Sequence, residues 1–522
     1  MGRESSLRRP SARPWVSIIR AMPVSRQLYS AAQVRAIDAY AIAHGTEGYT
    51  LMKRAGEAAL RVLRTRWPRA LSVTVIAGGG NNGGDGYTLA RFAQAAGLNA
   101  CVLAVVPPEQ LKGDARRAHD DYCAAGGKLV PYSPERLTQA EVIADALLGT
   151  GLATTVRPSI AEVIEAVNRA GRPVLALDLP SGLNSDTGEV MGAAVRATCS
   201  ISFVALKTGL FLGAGPEHVG QLQFDDLDVQ LTPEAESEFR PQLERLTESD
   251  IMRALPPRRH AANKGDFGRA LIVGGGAGMP GAVRLAGEAC LRVGAGLVTV
   301  ATWPANLLAI SAGRPELIVH GVETPSDLMP LLQAADVVAV GPGFGRSSWS
   351  RALLERALGS ERPLVLDADA LNLLAESSGQ APVGAILTPH PGEAGRLLAR
   401  SAAAVQADRL GALQALTARH AGAVVVLKGA GTLIGQQRGG SGEDPIPALC
   451  EYGNPAMASG GTGDVLTGAI AGILAQCRDP WLAARAGVVA HALAGDELAR
   501  ERERGLLALE LAEALTRWVN LK

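Results

Sequence analysis

No two of the six cysteines (Cys101, Cys123, Cys199, Cys290, Cys450, Cys477) form a CxxC pair, so zinc-ribbon and thioredoxin-like readings fail. Scattered thiols of this kind are expected to be reduced and buried, in a cytoplasmic protein. An excess of one charge is missing too. The 51 basic residues balance 51 acidic ones, which argues against a nucleic-acid partner or an anionic membrane. No apolar run reaches the roughly 18 residues that a bilayer span needs. The first stretch, MGRESSLRRPSARPWVSIIRA, is arginine-rich and lacks the apolar core of a secretory signal. Residues 1–21 are therefore read as an extension outside the fold, with Met22 as an alternative start. Lysine is scarce: seven of the basic residues, the other 44 being arginine. A lysine inside a glycine motif is then conspicuous.

What the 522 residues do have is apolar bulk. They are 47% hydrophobic and 20% charged, enough for two or more large cores. Short apolar runs alternate with helical patterns in two series. SVTVIAGGG, NACVLAVV, EVIADALLGTG, RPVLALDLPSG and TCSISFVAL make the first. GRALIVGGG, GLVTVAT, DVVAVGPGFG, PLVLDADALN, GAILTPHPGE and AVVVLKGAGTLI make the second. Runs apolar on both faces fit buried parallel strands. A charged, proline-bearing stretch from about Asp228 to His260 separates the two. The expected fold is α/β with two domains, over residues 22–231 and 249–520, joined by a linker at 232–248. The halves share a style but no sequence period.

In the first half AGGGNNGGDGYTLAR, Ala77 to Arg91, follows a strand and opens a helix. Its glycines let backbone approach a ligand and bare N–H groups at the helix start. It is not a P-loop, since no Gly-Lys-Ser or Gly-Lys-Thr follows, and its two asparagines, Asn81 and Asn82, set it apart from an ordinary dinucleotide turn. Asp145 in DALLGTGL and Asp178 and Ser181 in LDLPSGLN lie at other strand ends, which in a parallel sheet converge on one rim. Amide, carboxylate and hydroxyl oxygens together suit a hard cation. The bland reading of Asp178 is a turn acid.

NNGGDG, DALLGTG and LDLPSG, in that order, resemble the NAD(P)HX epimerase domain, the YjeF N-terminal family, over about Leu28 to Val229. The resemblance implies a Rossmann-like three-layer domain that interconverts the R and S epimers of hydrated NAD(P)H. It implies that Asn81, Asn82, Gly83, Gly84 and Asp85 hold the hydrated dinucleotide, as do Gly149, Thr150, Gly151, Leu152, Ala153, Thr154 and Thr155. Asn82, Asp145 and Ser181 would bind K⁺. Asp178 would contact the nicotinamide end and is the candidate for proton chemistry, with Asp85 next.

In the second half GPGFG, LDADALN, TPHPGE and VLKGAGT each end a strand, and NPAMASGGTGDVLTG opens an apolar helix. Glycines at a helix start present N–H groups to phosphoryl charge. Asp464 in the first turn, where the helix dipole favours its ionised form, is placed to take a proton from an attacking hydroxyl. GxGD resembles the ribokinase-like superfamily. TPHPGE, KGxxT and NPxMxSGGTGDVLTG together resemble, more closely, the ADP-dependent NAD(P)HX dehydratase, the YjeF C-terminal family, from about Ser249 to Trp518. That implies a ribokinase-like α/β domain in which Ala282, Gly343, His390 and Asp464 contact hydrated cofactor. Lys428, Gly429, Ala430, Gly431, Thr432 and Gly463 would contact the nucleotide, ADP with Mg²⁺.

Joined, the halves imply a bifunctional repair enzyme acting on NADHX, NADPHX and ADP, and a homo-oligomer is expected. Two other readings stay open at this point: a ribokinase-like kinase of a small alcohol with an accessory first domain, and a dinucleotide-sensing module. ADP against ATP, and NADHX against NADPHX, are also open.

Overall fold

The computed structural model describes residues 25–439, 443–500 and 502–521; the extension read at 1–21, and Met22, lie outside them. The apolar runs are strands. Seven of them form an all-parallel sheet. From one edge its order is Lys128–Pro131, Asn99–Ala104, Ser72–Ala77, Ile143–Ala146, Val174–Leu177, Cys199–Phe203 and Gln221–Asp225. The chain starts at Ser72–Ala77, winds outward to one side, then returns and winds to the other. The winding reverses between Ser72–Ala77 and Ile143–Ala146, and a crevice opens at such a switch.

A second sheet has twelve strands, and seven of them repeat that winding. Their order is Ile318–Gly321, Leu297–Thr302, Arg269–Val273, Val337–Val340, Leu364–Leu366, Ile386–Leu387 and Val424–Leu427, all parallel. The switch here lies between Arg269–Val273 and Val337–Val340. Two antiparallel strands follow, Thr432–Gln436 and Ala448–Cys450.

Three more strands complete this sheet, and they cross the expected domain boundary. Leu243–Arg245, inside the stretch read as a linker, pairs with Ala448–Cys450 on one side and Gln27–Tyr29 on the other. Gln27–Tyr29 in turn pairs with Leu206–Lys207. Leu28, Leu206, Leu210, Phe211 and Leu212 of the first half pack in one core cluster with Leu387, Leu427 and Leu449 of the second. The linker is therefore the seam of a shared sheet. Behind the second sheet, the helices Pro280–Arg292 and Thr462–Cys477 lie against each other. Gly468 and Gly472 make that approach possible: a Cβ on Gly468 would sit 1.9 Å from the Ala286 carbonyl oxygen.

Candidate active sites

The first site stands at the first sheet's switch. Gly78 ends strand Ser72–Ala77 with no room for a side chain, because a Cβ there would fall 1.9 Å from the Leu147 carbonyl oxygen. Two strand-end loops are thus clamped together. Helix Asn81–Ala95 begins immediately, and the N–H groups of Asn81, Asn82 and Gly83 find no acceptor among the described residues. Asn82 donates to the Leu148 carbonyl (2.8 Å) while its own Oδ1 is buried without a partner. The Ser181 hydroxyl donates to Asp145 Oδ1 (2.6 Å), and the Ser181 N–H to Asp145 Oδ2 (2.8 Å). Leu148 N–H donates to the Ser181 hydroxyl (2.9 Å). Asn82, Asp145 and Ser181, three distant positions, therefore meet around Leu148. Asp145 is fully buried, and burial pushes its carboxyl up to about 6 against the Ser181 hydroxyl and N–H bonds. An alkali cation fits this set: it would satisfy the orphaned Asn82 oxygen and hold Asp145 ionised. The loop Gly149 to Thr155 leaves the same strand end, with residues 151 and 153–155 exposed.

Beside it lies a group the sequence reading reached only in part. Asp178 follows strand Val174–Leu177 with φ +66°, a left-handed backbone in a non-glycine residue. Its carboxylate takes an ion pair from the Lys207 ammonium, which is 1% exposed and also donates to Ser202 Oγ (3.2 Å) and the Phe203 carbonyl (2.8 Å). Burial lifts Asp85 well above the carboxylate range, Asp178 and Asp38 adding to this and Lys207 opposing it. Burial lifts Asp38 to about 6, against Lys207 and with Asp178. Three acids thus share one buried lysine. Asp38 and Lys207 were missed. The scarcity of lysine could have flagged Lys207, in FVALKTG at a strand end.

The second site spans five strand ends of the second sheet. Gly275 and Gly276 donate to the carbonyls of Pro342 and Gly343 (2.9 and 2.7 Å), closing the switch. A Cβ on Gly343 would fall 3.0 Å from that of Ala282, so these two expected substrate contacts adjoin. Asp367, next along, is buried and saturated. Its Oδ1 accepts from Lys428 Nζ (2.7 Å) and Thr388 Oγ1 (2.8 Å), its Oδ2 from Thr467 Oγ1 (2.7 Å). Burial alone would raise its carboxyl; the Lys428 charge and these donors hold it below the usual range. Burial likewise works against the Lys428 ammonium, and the Asp367 and Glu393 carboxylates raise it above the ordinary lysine value. Asp367, Thr388 and Thr467 were not expected site residues. Their contacts join positions 21 to 100 residues apart, which no local motif encodes.

Asp464 lies in the first turn of helix Thr462–Cys477, behind Gly461 at φ +92°. The dipole does not keep it ionised as expected: burial pushes its carboxyl up to about 7, Asp367 adding and Lys428 opposing. The N–H groups of Thr462, Gly463 and Asp464 find no acceptor among the described residues. His390 caps its own helix, its Nδ1 accepting from Gly392 N–H (3.0 Å) and Glu393 N–H (3.4 Å). The imidazole is thus neutral with its proton on Nε2, and burial, with Lys428, lowers its basicity. Lys428, Gly429, Ala430, Gly431 and Thr432 line a cavity of about 2530 Å³ with His390, Thr462 and Gly463. Val204, Ala205, Leu210 and Phe211 of the first half line the same cavity.

The two halves that carry these constellations have counterparts in known proteins. Residues 48–209 match the YjeF-related protein N-terminus family, and residues 270–517 the NAD(P)H-hydrate dehydratase family. Among solved structures, an ADP/ATP-dependent NAD(P)H-hydrate dehydratase from Bacillus subtilis, co-crystallised with ATP and Mg²⁺, is 31% identical, covering 52% of this chain and 96% of its own, with a TM-score of 0.46. A bifunctional NAD(P)H-hydrate repair enzyme Nnr from Escherichia coli is 42% identical, covering 90% of each chain. The enzyme of the same name from Coxiella burnetii is 47% identical over 497 residues, 94% of this chain and 99% of that one. With a family model matched in each half and 94% of the chain aligned to a relative at 47% identity, the protein belongs to the family of bifunctional NAD(P)H-hydrate repair enzymes.

Proposed function

We propose that the chain restores hydrated NAD(P)H in two steps, one per site. The first site interconverts the R and S epimers. The second consumes the S epimer, with ADP giving AMP and phosphate. The observation that carries this is the second site's geometry. A carboxylate poised near neutrality stands at a bare helix N-terminus, beside a lysine fixed by a saturated aspartate.

Asp464 accepts the C6 hydroxyl proton as that oxygen attacks the β-phosphorus of ADP, and AMP leaves. A pKa of about 7 matches a general base working at neutral pH. The N–H groups at the helix start and on the Gly429–Gly431 loop receive the charge that develops on the phosphoryl oxygens. Asp367 does not react: it orients Lys428 towards the nucleotide. The ring nitrogen lone pair then expels phosphate, and loss of the C5 proton restores the reduced ring. Mg²⁺, a hard cation that keeps much of its water, would enter on the nucleotide phosphates.

At the first site Asp178 is the base near the nicotinamide, held in place by Lys207. Asp85 and Asp38, with raised carboxyls, carry the compensating proton. Asn82, Asp145, Ser181 and the Leu148 carbonyl would hold K⁺, which supplies fixed positive charge at the dinucleotide end. The domains run over 22–231 and 249–520, with the linker as a seam strand, and substrates are small molecules. Among the described residues no helix is long and apolar enough to cross a membrane.

The test is recovery of the reduced-nicotinamide absorbance from mixed R and S NADHX, with and without Mg²⁺-ADP. Full recovery that needs nucleotide is expected. Recovery of only one epimer would remove the epimerase assignment. Accumulation of a phosphorylated product without NADH would instead favour a small-alcohol kinase.

A further inference from the structure

Arg409 is 6% exposed, at the first turn of helix Arg409–Arg419. Among the described residues no carboxylate pairs with it. Its donors go to the Leu427 carbonyl (3.2 Å), the Lys428 carbonyl (3.4 Å), the Gly431 carbonyl (3.1 Å) and Gln406 Oε1 (2.6 Å). Its Nε is buried without a partner. An uncompensated buried cation is costly, and burial brings this one down to about 10, so it stays charged at neutral pH. No part of the mechanism above uses it.

Its position gives it a use. The carbonyls it holds belong to the loop between strands Val424–Leu427 and Thr432–Gln436. In a trans peptide the N–H points opposite to the C=O of its plane. With the Lys428 carbonyl drawn back to Arg409, the Gly429 N–H faces away from it. The Gly429 carbonyl is drawn aside by the Thr432 hydroxyl (3.0 Å), which turns out the Ala430 N–H. The N–H groups of Gly429, Ala430 and Gly431 find no acceptor among the described residues. Gly429 and Gly431 sit at φ +139° and +69°, where only glycine is unstrained. A Cβ on Gly429 would fall 2.8 Å from the guanidinium, so the loop lies directly on it. Consecutive bare N–H groups make an anion nest.

We propose that Arg409 is a positioning residue for nucleotide binding: it fixes the Lys428–Gly431 loop by drawing the Lys428 and Gly431 carbonyls inward, and stands as a permanent positive charge behind the nucleotide phosphates. This rests on the reading of that loop as the nucleotide site. It sets Arg409 apart from a residue that merely fills space, because its effect is confined to the phosphates.

The experiment compares ADP with adenosine, which lacks phosphates, by calorimetric binding to the full chain, the Arg409→Met variant and the Arg409→Lys variant. Epimerase turnover checks that each variant is folded. Arg409→Met is expected to weaken ADP about tenfold or more while adenosine stays within about twofold. Arg409→Lys, which keeps the charge but cannot fork to three carbonyls, is expected to fall between. Unchanged ADP binding, or equal loss of ADP and adenosine, would overturn the proposal. If Arg409→Met does not fold, the same ratio measured on Arg409→Lys decides. A parent chain that binds neither ligand would overturn the nucleotide reading itself, an outcome distinct from a parent that binds and variants that match it.

Discussion

Asp464 carries a raised carboxyl of about 7, and two consequences follow from the sign of that shift. Below pH 7 the base is protonated, so dehydratase kcat/KM should fall about tenfold per pH unit, while Asp464→Asn should cost about 10²–10⁴-fold in turnover at pH 8, where the parental base is ionised, and leave epimerisation intact. Near-parental turnover of that variant would remove Asp464 from the mechanism. Stability runs the other way. A group whose folded pKa lies above its ordinary 3.8 stabilises the fold fully below the unfolded value and loses that contribution as the pH rises through about 7. Asp464→Asn should therefore melt above the parent at pH 8, and the advantage should shrink as the pH is lowered towards 4. Asp178 gives the matching test in the other site. Asp178→Ala should consume pure S-NADHX with ADP at the parental rate and stall on a mixture once the S form is gone; fast, complete clearance of the mixture would transfer the epimerase chemistry to Asp85 or Asp38. At this scale legibility followed glycine. Asp464, Asn82 and Lys428 stand inside glycine motifs at strand ends, so the sequence displays them. Asp38 lies in a helix with no such neighbour, and Asp367, though inside the strand-end stretch LDADALN, shows its bonds to Lys428, Thr388 and Thr467 only once the strands are laid side by side.

The elements place these groups through close backbone approach. Helix Thr462–Cys477 carries Asp464 and Thr467, and its seat on Pro280–Arg292 depends on Gly468 facing the Ala286 carbonyl. Gly468→Ala would force a Cβ to within 1.9 Å of that oxygen, so the helices must part. The expected loss is about 1–3 kcal/mol, read as a lower melting temperature. The loss in dehydratase turnover should exceed the loss in epimerase turnover, because Asp464 moves with the helix and the first sheet does not. Equal losses in both activities would show that the glycine supports the whole molecule and not the site. The strands themselves were legible from continuous apolar runs, since parallel sheets are buried on both faces. Leu243–Arg245 was not: three residues, two of them charged, carry no strand signal, and only pairing on both sides makes them a strand.

For the whole molecule, that seam decides whether the halves are independent. The two sheets wind alike, which no sequence period reveals, because a shared winding order constrains where strands lie and not which apolar residue fills them. A fragment ending near Leu231 would keep the first sheet but strip the cover from Leu28, Leu206 and Phe211. Charge joins the halves as well. Asp250, 1% exposed in its side chain, accepts from Arg485 (2.7 Å) and Arg26 (2.9 Å), and Glu244 takes the same two arginines (2.9 and 3.0 Å). Arg26 precedes the first strand, Glu244 lies in the seam strand and Arg485 in helix Pro480–Ala499. Removing one partner of a buried ion pair leaves the other unmatched, which costs about 3–5 kcal/mol. Asp250→Ala should therefore destabilise the chain by that order, seen in denaturant unfolding. Because the network touches neither site but fastens the start of the first half to the seam strand and to a helix of the second half, epimerase and dehydratase should lose heat resistance together, with their kcat values at low temperature unchanged. Inactivation of the dehydratase alone, with the epimerase surviving at the parental temperature, would mean that the halves unfold separately and that the shared sheet is no cooperative unit.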